Sequence, residues 1–321
     1  MRVATSQFYD STIAAMGRQH AELVRLQQQI TSGKRLQTAA EDPIAMGRLL
    51  RGREADVQND AFAANRVAAS DRLRFTELAL SNLTNVIQRG KEVALGARKA
   101  SLSDEERQAY LSEVQSQYEE LLTIANRVDG QGVALFGGQR ATAPYALQPV
   151  VPPPVPPSTA PANVVNYLGN GTVPKVDVGN GQMMATGVTG EDAFGPETPS
   201  ATQQSVFRTY EAIISALTPP ITDAASRAAL QGQLDGLITN FDNNYQTALN
   251  MHVLVGTRQA QLDTLDSSGE AHGDQLKAML LELESVDAAS ALSQFTQLKT
   301  ALEASQQTFV AMRGLSLFNY L

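Results

Sequence analysis

Residues 287–313 read DAASALSQFTQLKTALEASQQTFVAMR. Within them Ala291, Phe295, Leu298, Leu302, Ser305, Phe309 and Met312 recur at alternating steps of four and three. That is the period of a helix whose apolar seam lies against another helix. Asp287, just ahead, has the side chain of an N-cap. The start of the chain carries the same pattern at Tyr9, Ile13, Met16, His20, Leu23, Gln27 and Ile30. A third copy follows at Leu111, Val114, Tyr118, Leu121, Ala125 and Val128. Two longer segments, 43–100 and 223–266, are alanine-rich, with looser stripes at Leu73, Leu80, Leu83, Ile87 and at Leu230, Leu234, Leu237, Phe241.

Helix boundaries are written beside these stripes. Gly33 suits a helix stop, because glycine enters the left-handed region without a Cβ penalty. Asp42-Pro43 suits a start, with Asp accepting main-chain N–H groups and Pro in the first turn. Ser103 to Glu106 and Ser200 to Gln203 have capping-box spacing. The stretch around His272, Ser267 to Gly273, has the composition of a solvated connection between helices.

The middle of the chain is different. Nine of the fourteen prolines fall between Pro144 and Pro174, including Val-Pro-Pro-Pro-Val-Pro-Pro at 151–157. Proline has no N–H and a fixed φ, so this run is extended, not helical. Asn170-Gly171 and Asn180-Gly181 follow, flanked by Val164 to Tyr167, Val173 to Val178 and Met183-Met184, a hairpin pattern. The fold class expected is therefore mainly α: an elongated antiparallel coiled-coil helix bundle with a small β-rich insert. Its parts are terminal helical segments at 1–40 and 287–321, a coiled-coil domain at 41–138 and 200–286, and an outer insert at 139–199 with a Pro-rich lead-in.

Composition narrows the function. Of 321 residues, 43% are hydrophobic and only 6% aromatic, which suits helix-on-helix packing better than an aromatic-centred globule. Lys plus Arg number 25 against 33 Asp plus Glu, a net charge of −8, the wrong sign for non-specific binding to nucleic acid or an anionic membrane. The absence of cysteine excludes disulfides and thiol chemistry. His20, His252 and His272 are scattered in sequence, against a zinc site. No stretch approaches the roughly 20 apolar residues of a membrane span, and the N-terminus lacks the pattern of a cleaved secretory signal. No nucleotide loop, metalloprotease motif or nucleophile elbow occurs. The chain reads as no enzyme, with no catalytic, cofactor-binding or metal-binding residues and no cofactor.

Three stretches resemble the bacterial flagellin family. They are Ile30 to Pro43 (ITSGKRLQTAAEDP), Ile124 to Gly138 (IANRVDGQGVALFGG) and the C-terminal stretch from Asp287. The resemblance covers about 1–138 and 200–321. Asp42-Pro43-Ile44-Ala45 departs from the Asp-Ala-Ala-Gly of filament flagellins, and the end Gly-Leu-Ser-Leu-Phe-Asn-Tyr-Leu resembles subunits of that family found at the hook–filament junction. Gln88 to Val93 resembles a helix stretch that a vertebrate innate receptor binds in some flagellins, but Gly90 and Lys91 depart from it.

The resemblance implies a structural subunit of the flagellum, an adaptor layer at the junction. It implies export through the flagellar type III apparatus without a cleaved signal, an extracellular place in the flagellum, and an export chaperone. Its neighbours would be copies of itself, flagellar hook-associated protein 1 and flagellin, with no nucleic acid or membrane partner. The terminal helices would supply the assembly interface: Tyr9, Ile13, Met16, Leu23, Ile30, Phe295, Leu298, Leu302, Phe309, Met312, Leu315, Leu317 and Phe318, with Gly33, Asp42 and Pro43 as the structural turn. The last 34 residues hold only three charged side chains, Lys299, Glu303 and Arg313. A free amphipathic helix carries a charged outer face, so these helices are expected to complete their burial on neighbouring subunits and to be unfolded in the monomer. A filament flagellin or an unrelated coiled-coil scaffold remains an alternative.

Overall fold

The computed structural model describes residues 2–140, 142–149, 163–196 and 204–318, with side chains left aside for 2–6, 8 and 313–318. The element order is α1 (Arg2–Ser32), α2 (Pro43–Ala97), α3 (Asp104–Ala125), β1 (Tyr145–Pro149), β2 (Asn163–Tyr167), β3 (Lys175–Asp177), β4 (Met183–Ala185), α4 (Gly190–Phe194), α5 (Val206–Leu217), α6 (Ala224–Glu284) and α7 (Ala288–Phe318). The fold is mainly α with a small β insert. Two compact units divide it: residues 1–60 with 270–321, and residues 61–269.

In the second unit, α2 and α6 run antiparallel. Ion pairs mark the alignment: Arg66–Asp266 (2.9 Å), Lys91–Asp242 (2.5 Å) and Arg98–Asp235 (2.5 Å). Their seam is a stricter heptad than the sequence suggests. On α6, Leu234, Phe241, Ala248, Val255 and Leu262 stand seven apart and are all buried. On α2, the buried positions include Leu73, Leu80, Leu83 and Ile87, continued by Arg66, Thr76, Gly90, Ala94 and Ala97. Alanine, glycine and polar residues at seam positions hid the repeat from an apolar count. At Gly90 the missing side chain makes room for Tyr210 of α5, and Arg66 reaches Asp266 and Val178 O. Tyr210 of α5 is fully buried beside Phe241, ring centroids 5.3 Å apart.

The scarce aromatics are concentrated, not diluted. Phe136, Tyr145, Phe194 and Phe207 form one buried cluster, with Phe136–Phe194 at 5.0 Å and Tyr145–Phe207 at 4.9 Å. The second unit thus has an aromatic centre where the insert meets the helices, contrary to the expectation drawn from composition. Pairs of this kind contribute roughly 0.5–1.5 kcal/mol each beyond burial.

The insert is two separate antiparallel pairs. β1 pairs with β2 from Tyr145↔Tyr167 to Pro149↔Asn163, and β3 pairs with β4 from Lys175↔Ala185 to Asp177↔Met183. The strands around Val164 to Tyr167 and Met183 fall where the sequence pattern put them, whereas β1 had no such sign. Pro149 stands at its end, where a missing N–H costs no ladder bond. At Asn180-Gly181 both φ angles are positive, +46° and +80°, as a type I′ hairpin turn requires. Gly171 is not in that region. The Pro-rich run at 151–157 lies outside the described residues.

Three expectations about boundaries change. α6 continues through Ser267 to Gly273, so His272 lies in a helix and not in a connection. Gly269 is tolerated there because Arg66 lies over it; an added Cβ would overlap the guanidinium. α5 is capped by Ser205, whose side chain accepts from Arg208 N–H, and not by Ser200, which lies outside the described residues. α3 ends at Ala125, so Val128 is half-exposed in a loop instead of on the helical stripe. The capping box of Ser103 and Glu106 is present as expected, with both reciprocal bonds formed.

Candidate assembly surfaces of the terminal helices

Gly33 adopts φ +70°, ending α1 as expected. The chain then pairs with the turn between α6 and α7. Lys34 and Ser285 form an antiparallel bridge, Arg35 N–H donates to Glu284 O (2.8 Å) and Val286 N–H donates to Gly33 O (3.1 Å). The Gln29 amide, buried, donates to Arg35 O (2.7 Å). Glu284 receives both Lys34 (2.9 Å) and Arg53 (2.6 Å). The hydrogen bond from Lys34 leads in holding its carboxyl below the ordinary value, with the charge of Arg53 adding to it. Asp42 Oδ1 accepts from Ala45 N–H (2.9 Å), so Asp42 and Pro43 open α2 as N-cap and first residue. Asp287 does the same for α7, accepting from Ala289 and Ser290 N–H.

α1 and α7 pack on one another. All seven α7 positions of the sequence pattern face this contact: Ala291 and Leu302 are buried, and Phe295, Leu298, Ser305, Phe309 and Met312 are half-buried. On α1 the pattern holds at alternate positions only. Tyr9, Met16, Leu23 and Ile30 turn inward, and Tyr9 meets Phe309 edge-on at 5.7 Å. Ile13, His20 and Gln27 turn outward. The intervening inward positions are Thr12, Gln19 and Leu26, one residue earlier in each case, and Leu26 is the most buried of the described side chains of the helix. Both readings keep the four-and-three rhythm; they differ in which step comes first. Leu26 was the available signal, an aliphatic residue one place before a polar Gln27.

Most residues expected to form the assembly interface are therefore occupied within the chain. Ile13 alone among the described ones is well exposed, at 54%. Side chains of Leu315, Leu317 and Phe318 lie outside the described ones. Among the described residues, the large apolar side chains left facing solvent on this pair are Ile13 and Val24 (41%) on α1, and Leu292 (54%) and Val310 (67%) on α7. Val24, Leu292 and Val310 did not stand out in the sequence, because none belongs to the dominant stripe.

Elsewhere, the Ile124 to Gly138 stretch is a built turn leading out of α3. Asp129 Oδ1 accepts from Gln131 and Val133 N–H (2.9 Å each), while Oδ2 pairs with Arg72 (2.6 Å), which also donates to Ala134 O (2.9 Å). Arg89 and Lys91 are spent on Glu120 (2.6 Å) and Asp242 (2.5 Å), and Gly90 faces inward. This explains where that segment departs from the receptor-bound stretch: it serves helix packing. Among the described residues no group of three or more His, Asp or Glu is arranged to hold a metal ion, and no helix is long and apolar enough to cross a membrane. His252 Nε2 lies 3.8 Å from Glu77, a partly exposed pair between α6 and α2.

Residues 3–141 match the bacterial flagellin N-terminal helical region. Over 328 residues the chain is 27% identical to flagellar hook-associated protein 3 of Escherichia coli, covering 99% of each. It is 23% identical to a flagellin of Listeria innocua over 305 residues, 95% of this chain and 93% of that one. The crystal structure of flagellar hook-associated protein-3 from Legionella pneumophila has the same fold, with a TM-score of 0.63 at 20% identity over 72% of this chain and 98% of that one. The chain carries a flagellin-type N-terminal helical region, and its end-to-end likeness is to the hook-associated protein 3 subunits of flagella.

Proposed function

We propose that the chain is a structural subunit of the bacterial flagellum that forms the adaptor layer between hook and filament. The observation that carries this is the whole-length match to hook-associated protein 3, where flagellin matches at lower identity over less of the chain. In this reading the work is structural and not catalytic. Copies of the chain lie side by side in the layer, with hook-associated protein 1 and flagellin as axial neighbours. An export chaperone covers the apolar C-terminal seam before assembly, and the chain leaves the cell through the flagellar export apparatus.

The terminal helices supply the assembly step. Two helices sharing one seam leave half of each exposed, and helix formation without a covering layer has little to offset its ordering entropy. Folding of α1 and α7 is coupled to stacking: Tyr9, Met16, Leu23, Ile30, Phe295, Leu298, Leu302, Phe309 and Met312 close the pair, and Ile13, Val24, Leu292 and Val310 meet neighbouring copies. Heterologous contacts of this type repeat along a tube instead of closing a dimer.

Deletion of the gene tests the placement. It should leave complete hooks, flagellin lost to the medium and no motility; filaments of normal length on the deletion strain would refute it. Hydrogen exchange on the dilute monomer tests the coupling, since slow exchange across 5–32 and 290–315 is incompatible with it.

A further inference from the structure

The chain contains four Asx-Gly pairs: Asp129-Gly130, Asn170-Gly171, Asn180-Gly181 and Asp235-Gly236. Such pairs share one reaction. The main-chain nitrogen of the glycine, losing its proton, attacks the side-chain carbonyl carbon of the residue before it. From asparagine the Cγ–Nδ2 bond breaks and Nδ2 departs as ammonia, leaving a five-membered imide. Water then opens the imide at either carbonyl, giving aspartate or the β-linked isoaspartate. The reaction needs an unrestrained side chain and a glycine nitrogen that nothing holds or covers.

Three of the four pairs are held. Asp235 lies inside α6 with its carboxylate on Arg98 (2.5 Å). Asp129 is fixed by two main-chain N–H groups and Arg72. Asn170 Oδ1 accepts from Gln139 N–H (2.7 Å) and its main-chain oxygen from the Tyr167 hydroxyl (3.2 Å). It is packed so closely on Gly138 that a Cβ there would overlap it.

Asn180 is different. It is exposed, and among the described residues its side chain has no hydrogen-bond partner. Gly181 is exposed too, with nothing within 4 Å of where a Cβ would stand. Asn180 is also the only described non-glycine residue at positive φ, a conformation that disfavours side chains. We propose that Asn180 is a site of spontaneous deamidation in the folded protein and that the other three Asx-Gly pairs are protected by the fold.

The product acts on the insert. Isoaspartate adds a carbon to the main chain inside a tight turn closed by Gln182 N–H to Gly179 O (2.8 Å) and Val178 N–H to Gln182 O (3.0 Å). It also places a carboxylate near Asp177. The β3–β4 hairpin is anchored to α2 by Asn65 to Asp177 O (2.8 Å) and Arg66 to Val178 O (3.1 Å), so a strained turn loosens that docking.

The test is to hold the full-length chain at mildly alkaline pH and follow peptides covering 163–172 and 175–186 by mass spectrometry, folded and in urea. In the folded chain Asn180 should convert several-fold faster than Asn170, giving two isomeric products, and in urea the two rates should converge. Hydrogen exchange of the converted protein should be faster across 175–185. An Asn180 that stays an amide while the urea sample converts, or equal rates at both sites in the folded chain, would overturn the proposal.

Discussion

Gly90 lies beneath the ring of Tyr210. A Cβ at position 90 would stand 2.5 Å from the Tyr210 hydroxyl and 2.8 Å from the Phe241 ring. The hydroxyl donates to Val86 O (2.7 Å) on the same helix and lies 3.1 Å from Gln117 Oε1. Burial pushes the Tyr210 phenol well above its ordinary range, so it remains a donor. One missing side chain on α2 thus lets α3, α5 and α6 close on a single point.

Gly90→Ala should therefore destabilise the protein, although alanine is the better helix former by about 1 kcal/mol. Overpacking of a closed core costs about 1–3 kcal/mol, so the net effect should be a loss of up to about 2 kcal/mol. Urea unfolding followed by circular dichroism measures it. A rise in the midpoint would show that Tyr210 withdraws freely.

Leu26→Ala and Ile13→Ala should separate the two sides of α1. Leu26 is 3% exposed against α7, and its truncation should cost the folded pair about 2 kcal/mol, the low end for a core leucine because a two-helix contact can collapse. Ile13 faces outward, so its truncation should change the pair itself by less than about 0.5 kcal/mol. Because the pair forms on stacking, neither variant should shift the denaturation of the dilute purified chain. Leu26→Ala should lower the heat resistance of the assembled layer, and Ile13→Ala should impair incorporation into flagella; a large shift in the denaturation of the Leu26→Ala monomer would show that the pair is already folded there.

Glu211 of α5 is buried and accepts from the Tyr118 hydroxyl (2.8 Å), Val165 N–H (2.9 Å) and the Arg208 guanidinium (2.8 Å). It ties β2 to α3 and α5. Glu211→Ala would orphan a buried N–H and a hydroxyl and should cost about 2–4 kcal/mol. Hydrogen exchange should rise across 145–149 and 163–167. An unchanged exchange pattern there would mean that aromatic packing alone holds β1 and β2.

Acid should act at the turns joining the terminal helices. The carboxyl of Glu284 is held below its ordinary value of 4.5 by Lys34 and Arg53. Its contribution to stability is therefore complete above that value and is lost as the pH falls through the lower, folded one. In the Glu284→Gln variant this loss is absent at acid pH. At neutral pH it should be less stable by under about 1 kcal/mol, as for other exposed pairs. Near-neutral and acid melts of both forms check the sign; equal acid sensitivity would remove Glu284 from the account.

Helix class, the Gly33 stop, the Asp42-Pro43 and Asp287 starts, the Ser103 capping box and the Asn180-Gly181 turn were legible because each rests on local chemistry: one glycine, one cap, one period. Flagellin-like stretches at both ends were legible for the same reason. The seam of α1 was legible only in rhythm, since a four-then-three and a three-then-four reading share every second position. Only packing against α7 chose Leu26 over Gln27.

Local chemistry alone settled where α1 ends, where α2, α3 and α7 begin, which stretch could not be helical, and that nothing in the chain is equipped for thiol or cysteine-metal chemistry. Tertiary structure alone decided which stripe faces inward, that α6 runs through Ser267 to Gly273, and that the few aromatics gather between insert and helices. The physical reason is range. Caps and turns are closed by neighbours within about four residues, whereas burial of Leu26, Gly90 or Arg66 depends on atoms 120 or more positions away, such as those of Tyr210 and Asp266.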